Sequence, residues 1–373
     1  MASLVVDARM LGASGIGTYL QNLIPSLAQA FDVRLLGNPE EVAKLNLPPS
    51  TKVIAPKTRI YTIKEQWELY KFAPTCDIFW SPHYNIPLLP VPAHKRVVTI
   101  HDTYHLAFQH TLSLAQRLYC NLLLWAGSRV SDKVITVSEF SKKELQKYLN
   151  LRPADVEVIH NGLDKEIFRQ LDKVEAQTAL KQSIPNLPEG KFILYVGNVK
   201  PHKNLSTLVK AFSGLLETLD EKYTLVIVGK KDGFITSDQN VFKLLQANHT
   251  LNQRVFFTGQ VSEKQLQLLY NSASLFVFPS LYEGFGLPPL EAMACGCPVI
   301  VSETASMPEV CADAALYFPP SDASILEHRM HQALTNEILR SDLIERGLKQ
   351  IELYSWQQSA IQHQRVFESL LKT

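Results

Sequence analysis

Glu283 and Glu291 bracket the run EGFGLPPLE, with Gly284, Gly286, Pro288 and Pro289 between the two carboxylates. Glycine lets backbone approach a ligand closely, and proline is tolerated in the first turn of a helix but not beyond it. The run therefore reads as a loop that leaves a strand at Ser274–Phe278 and feeds a helix whose orphan N–H groups attract an anion. Such a segment suits a ligand that is both phosphorylated and hydroxylated. The plainer reading makes Glu291 a first-turn carboxylate favoured by the helix dipole and Glu283 a loop acid capping backbone N–H groups.

Three further segments carry residue types that do chemistry. Leu11–Gly17 (LGASGIG) is a glycine-rich turn, but its spacing is not the G-x-G-x-x-G of dinucleotide sites, and no acid closes the following strand. His101-Asp102-Thr103-Tyr104-His105 follows a buried-strand pattern, which places a histidine and an acid where a cleft would open. Zinc on His101 and His105 does not fit, because that motif needs a helix and a glutamate directly after the first histidine. Gly197–Asn204 (GNVKPHKN) sets Lys203 at the mouth of a helix, where a diphosphate would meet both an ammonium and backbone N–H groups. Taken alone, Lys203 reads better as a solvated lysine near a turn.

Short apolar runs alternate with helical patterns throughout. In the first half the strand candidates are Leu4–Val6, Val33–Leu36, Lys52–Ile54, Ile78–Trp80, Val97–Ile100, Lys133–Val137 and Val156–Ile159. Helical patterns cover Gly17–Ala30, Ser113–Ser128 and Ser138–Leu149, the last with a capping-box-like Ser141-x-x-Glu144. The polar, proline-rich stretch around 163–190 reads as a linker with a short helix. Alternation then restarts with strands at Phe192–Val196, Thr224–Val228, Val255–Phe257, Leu275–Phe278 and Val299–Val301. Helices are expected at Leu205–Thr218, Asn240–Ala247 and Ser262–Asn271, and the chain ends in Ala323–Thr335, Leu339–Tyr354 and Trp356–Leu371. Alternating strands and helices imply doubly wound parallel sheets, in which ligands bind beyond the carboxyl ends of the strands. The domains expected are 1–165, a linker at 166–190, 191–353, and a terminal helix at 354–373.

Composition narrows the class. A chain of 373 residues, 46% hydrophobic and 20% charged, suits two soluble α/β domains. A formal net charge of +1 argues against nucleic acid as a partner. Five scattered cysteines form neither a disulfide framework nor a metal site and read as reduced thiols. The N-terminus has no basic region before Asp7 and reads as a first strand, not a signal peptide. No apolar run reaches the ~18 residues of a membrane span. Two stretches, Ile60–Phe72 and Leu112–Trp125, mix aromatics with Lys64, Lys71 and Arg117, so they suit a membrane surface. An ordinary core-facing helix is the preferred reading of both.

Together, the motifs resemble retaining glycosyltransferases of family 4. Glu283 through Glu291 match the family's E-x7-E signature, and Gly15-x-Gly17, His101-Asp102, Thr136–Ser141, Ile159–Gly162, Val196-Gly197 with Lys203, and Pro298–Ser302 follow in order. The resemblance covers essentially the whole chain. It implies a GT-B fold: two Rossmann-like domains facing a cleft, with the last helix crossing back to the first domain. It further implies sugar transfer from a nucleotide diphosphate sugar with retention at the anomeric carbon, without a bound metal or other cofactor.

On that resemblance Glu291 holds the ribose, while Glu283, Lys203 and His101 form the catalytic group. Gly284, Phe285, Gly286 and Leu287 contact sugar and distal phosphate. Lys203 neutralises the diphosphate, Gly15 and Gly17 close on the phosphates, and Val261 packs the nucleobase. Asn198 stands where many members carry arginine, with Lys200 or His202 left to supply part of the missing charge. His83, Asp102 and Tyr104 are assigned to the acceptor. The motifs look most like bacterial enzymes of surface polysaccharide synthesis, which favours GDP-mannose as donor, with UDP-glucose and dTDP-rhamnose as alternatives. The acceptor is expected to be a glycan or lipid-linked glycan. The setting is cytoplasmic, at or near the inner face of the membrane. An oxidoreductase on two Rossmann-like halves, a nucleotide-sugar hydrolase or epimerase, and a non-catalytic sugar-nucleotide binder remain the rival readings.

Overall fold

The computed structural model describes residues 1–372 except Ser14, Arg59, Tyr61 and 231–237, together with the side chain of Ile63. Ser14 of the glycine turn and Tyr61 of the 60–72 stretch thus lie outside the described residues. The chain divides into two compact units, one of Met1–Gly162 with Ser355–Thr373 and one of Leu163–Tyr354.

The first unit is built on seven strands: β1 (Ser3–Asp7), β2 (Asp32–Leu36), β3 (Lys52–Ile54), β4 (Cys76–Ser81), β5 (Ala93–Thr99), β6 (Lys133–Thr136) and β7 (Val156–Val158). Every ladder is parallel, in the order β3-β2-β1-β4-β5-β6-β7. Central parallel strands are covered on both faces, which is why Leu4, Val5 and Val6 are all inaccessible and the strand reads as an unbroken apolar run. The Trp356–Leu371 helix belongs to this unit and lies on the Ile16–Ala30 helix. Phe31 and Phe367 meet edge to face at 5.9 Å, and Gly162 leaves no room for a side chain because the Trp356 backbone occupies its place.

The second unit has six strands: β8 (Lys191–Val196), β9 (Tyr223–Val228), β10 (Val255–Gly259), β11 (Leu275–Phe278), β12 (Val299–Ser302) and β13 (Leu316–Phe318). They are again parallel, in the order β10-β9-β8-β11-β12-β13. Strand β13 was not anticipated.

Several expectations need correction. The stretch 166–190 holds the expected short helix, but it is packed into the second unit and does not stand apart as a linker. Asp172 caps a helix at Lys173–Ser183 through the N–H groups of Val174 and Glu175, and Ala176 and Leu180 bury against the Glu263–Ser272 helix of the same unit. The helix at Glu139–Leu149 is capped by Ser138, which accepts from Ser141 N–H, so Ser141 lies inside the helix and does not start it. Capping boxes occur instead at Ser113 with Gln116, at the start of the Leu114–Val130 helix, and at Ser262 with Gln265, at the start of the Glu263–Ser272 helix. That helix is not wholly core-facing either: Leu114, Leu118, Leu122 and Trp125 are exposed, as are Trp67, Tyr70 and Phe72 on the Ile63–Phe72 helix. All five cysteines are buried, free thiols.

Candidate active site

In a doubly wound sheet the strand order reverses at one point, and the two loops leaving the carboxyl ends there splay apart to leave a crevice. In the second unit that point lies between β8 and β11. The loop after β8 carries Lys203 and the loop after β11 carries Glu283, and their side chains join at 2.5 Å from Nζ to Oε1. The pair is 19% and 15% exposed, so it is shielded from bulk water yet open to a ligand. Lys203 Nζ also lies 5.7 Å from the centre of the Phe278 ring.

What positions this pair is a residue that the sequence reading passed over. Asn204 takes up a left-handed backbone conformation at the head of the Leu205–Thr218 helix. Its amide donates to the carbonyls of Pro279 at 3.0 Å and Pro320 at 2.7 Å, and it accepts from Thr207 Oγ1. A second tie runs from Leu281 N–H to the His202 carbonyl at 2.7 Å. On the other side of the loop the buried Ser306 hydroxyl is shared between the carbonyls of Glu283 and Phe285. Lys203 and Glu283 are therefore held from both ends.

Gly286 has φ 99°, and a side chain there would run into the Met307 methyl, so glycine is required. It precedes the Leu287–Ala294 helix. Of the first four helical residues two are prolines, which leaves N–H groups only on Leu287 and Leu290. The anion-attracting end is thus thinner in donors than the loop pattern suggested. One turn on, Glu291 accepts from the Tyr270 hydroxyl at 2.9 Å, and burial raises its carboxyl to about 7 against that hydrogen bond. Among the remaining expected donor residues, Asn198 uses its side-chain oxygen to accept from Lys230 N–H. It joins the loops after β8 and β9 and supplies no charge. Lys200 and Val261 are half-buried, the latter beyond β10 at the sheet edge.

In the first unit the order reverses between β1 and β4. Gly15 has φ 70° and heads the Ile16–Ala30 helix, while Gly17 packs so closely that a Cβ would lie 2.5 Å from the Leu11 carbonyl oxygen. The turn's tightness thus accounts for both glycines. His101 sits beyond β5, with Nε2–H donating to the Pro82 carbonyl at 2.8 Å and its ring edge-on to Tyr19 at 4.8 Å. Burial lowers its pKa, so the ring is neutral and Nδ1 is the acceptor nitrogen. Its carbonyl accepts from Ser141 Oγ at 3.1 Å. Beneath it Tyr19 donates to His363 Nε2 at 2.6 Å, because His363 Nδ1–H is committed to the Ser359 carbonyl.

Of the residues expected at the acceptor, Asp102 accepts from Tyr104 N–H at the start of a short helical turn, and Tyr104 stacks on Phe108 at 5.0 Å. His83 is 1% exposed and cannot reach an acceptor as placed. Its Nδ1 accepts from Asn85 N–H, and its Nε2 lies 3.5 Å from Asp7. It joins a buried network missed in the sequence. Arg9 forks onto Asp7 at 2.8 and 2.6 Å and reaches Glu65 at 2.6 Å, and Asn85 bridges Glu65 to Tyr119. Burial alone would raise Asp7, but the Arg9 charge and hydrogen bonds, with His83, hold it well below the usual carboxylate range. An acid ending a central parallel strand, as Asp7 does, was the one signal available. Among the described residues no group of three His, Cys, Asp or Glu side chains is placed to hold a metal ion.

Two parallel α/β units with loops of this kind at their switch points define the GT-B class of glycosyltransferase. Residues 176–350 match the profile for glycosyl transferases group 1, and residues 13–167 match that for glycosyltransferase family 4. The O-antigen chain mannosyltransferase B of Escherichia coli is 30% identical over 76% of this chain and 72% of its own length. The serotype-specific mannosyltransferase WbdA of the same species is 32% identical over 76% of this chain, which spans only 35% of that protein's length. The Anabaena HepE structure in complex with UDP-glucose matches 99% of this chain and 100% of its own, with a TM-score of 0.77 at 16% identity, and shows the shared fold. The chain belongs to the group 1/family 4 glycosyltransferases.

Proposed function

We propose that this glycosyltransferase moves mannose from GDP-mannose onto a glycan or lipid-linked glycan of a bacterial surface polysaccharide, with retention of anomeric configuration. The observation that carries the reading is the Lys203–Glu283 pair at the switch point, with Glu291 one turn into the next helix. The relatives named as mannosyltransferases support the choice of sugar. Lys203 is assigned to the diphosphate, Glu291 to the ribose hydroxyls and Glu283 to the donor sugar. Gly284–Leu287 are assigned to the sugar and distal phosphate, and His101 to the donor sugar. Gly15 and Gly17 would let backbone approach the phosphates.

In this scheme the bond from anomeric carbon to phosphate oxygen breaks, and the negative charge that develops on the diphosphate is met by Lys203 and loop N–H groups. The acceptor hydroxyl attacks from the same face, and its proton passes to the departing phosphate oxygen. No resident metal is invoked, since Lys203 supplies a fixed positive charge. Retaining glycosidases instead use two carboxylates ~5 Å apart, one of them a nucleophile. Here Glu283 is already engaged by Lys203, which favours the front-face route.

A second reading, the same transfer from UDP-glucose, draws on HepE. Thermal shifts across GDP-, UDP- and dTDP-sugars separate the two, and GDP-mannose is expected to give the largest. NMR of the product is expected to show the donor's α-configuration kept; an inverted product, or a glycosyl adduct trapped on Glu283, would overturn the mechanism.

A further inference from the structure

The Leu114–Val130 helix presents Leu114, Leu118, Leu122 and Trp125 to solvent at 76%, 71%, 53% and 55% exposure. At ~100° per residue these four fall within an arc of about 80°, one continuous stripe along three turns. The opposite face, with Cys120, Leu123 and Leu124, packs into the unit. A helix folded for the core alone has no use for the second apolar face.

Within this stretch of chain the charges have one sign. No aspartate or glutamate occurs between Asp102 and Asp132, whereas Arg117 and Arg129 lie on this helix. The Ile63–Phe72 helix repeats the pattern. Its exposed face carries Trp67 and Tyr70, in edge-to-face contact at 6.4 Å, between Lys64 and Lys71. Its two acids are engaged within the unit: Glu65 is buried on Arg9 and Asn85, and the half-buried Glu68 accepts from the N–H groups of Lys57 and Thr58. Both helices are also tied to one short segment. Asn85 bonds Glu65 and Tyr119, and Ile86 meets Gln66 on one side and Gly127 on the other.

We infer that the exposed faces of these two helices form a docking surface for an anionic lipid bilayer. Apolar side chains flanked by lysine and arginine, with both acids of the Ile63–Phe72 helix already hydrogen-bonded within the unit, complement a layer of acyl chains beneath negative headgroups. No helix among the described residues is long and apolar enough to cross a membrane, so the contact is with its surface. The inference rests on exposure and charge in the first unit and does not depend on the donor assignment.

The test is co-sedimentation of the full chain with phosphatidylcholine vesicles, with and without phosphatidylglycerol, in the absence of donor and acceptor. The parent is expected to bind the phosphatidylglycerol vesicles, less so in high salt. The variant carrying Leu114→Gln, Leu118→Gln, Leu122→Gln and Trp125→Gln is expected to lose affinity about tenfold or more, with circular dichroism and thermal midpoint unchanged. Lys64→Gln with Lys71→Gln is expected to weaken the preference for phosphatidylglycerol. Equal binding by parent and stripe variant, or no binding by the parent to either vesicle, overturns the inference. So does a parent that is dimeric by sedimentation equilibrium and a stripe variant that is monomeric, which would assign the face to a second copy of the chain.

Discussion

The two sheets reverse strand order in the same way, yet they use charge at the reversal differently. In the first unit Asp7, Glu65 and Arg9 are buried against one another, with Asn85 and His83 filling the remaining contacts. Each charged group there finds its partner within the unit, and the network fixes the path of the loops. In the second unit Lys203 and Glu283 are also paired but remain partly exposed, and Glu291 has one protein donor among the described residues for its two oxygens. Burying a charge is tolerable only if its partners are supplied by the fold. Charges left partly open are therefore the ones free to trade a protein partner for a ligand.

That contrast can be broken most severely at Arg9. Arg9→Met strands two buried carboxylates, and denaturant unfolding of the first unit is expected to show a loss of about 3–5 kcal/mol. A loss no larger than that of a surface substitution would mean the network is not structural. At the other switch point the balance is expected to reverse. Glu283→Gln should leave the unfolding midpoint nearly unchanged while transfer falls by about 10²–10³. Transfer at the parent rate would remove Glu283 from the chemistry.

The smallest effect concerns pH. Glu291, raised to about 7 by burial, is ionised above that pH and protonated below it. Donor affinity measured by titration is expected to fall as pH drops through 7, approaching tenfold per unit. Folding responds in the opposite sense. A carboxyl raised in the folded state contributes most below its ordinary pKa, and that contribution is lost as pH rises to about 7. Tyr270→Phe removes the hydrogen bond that holds the value down and should move both midpoints upward. A donor affinity flat from pH 6 to 8 would detach Glu291 from the ligand.

Much of this was visible before any coordinates. Parallel strands buried on both faces leave unbroken apolar runs, so twelve of the thirteen strands among the described residues stood out; Leu316–Phe318 did not. Lys203, Glu283 and Glu291 stood out because loops after strands concentrate glycine, proline and charge. The Arg9 network did not, since its members come from three segments and meet only after folding. Asn204 looked like one more polar loop residue, although its amide is what holds two loops in register. The short helix expected near 163–190 is there at Lys173–Ser183, but its packing into the second unit was not legible because it buries only Ala176 and Leu180. The Leu114–Val130 helix misled for a different reason. Leucine occurs on both of its faces, and sequence cannot say which face the core takes.

The return of Ser355–Thr373 to the first unit has a consequence for biosynthesis. Phe367 and Trp356 are buried in a core whose other members were translated before Gly162. At ~5–20 residues per second, a ribosome takes about 10–40 s to make the intervening unit. For that interval the nascent N-terminal sheet lacks the helix that covers Tyr19 and Phe31. The second unit, by contrast, has its whole sequence synthesised first. Completion in this protein runs from the inserted segment outward, and the unit begun earliest is the last to be sealed.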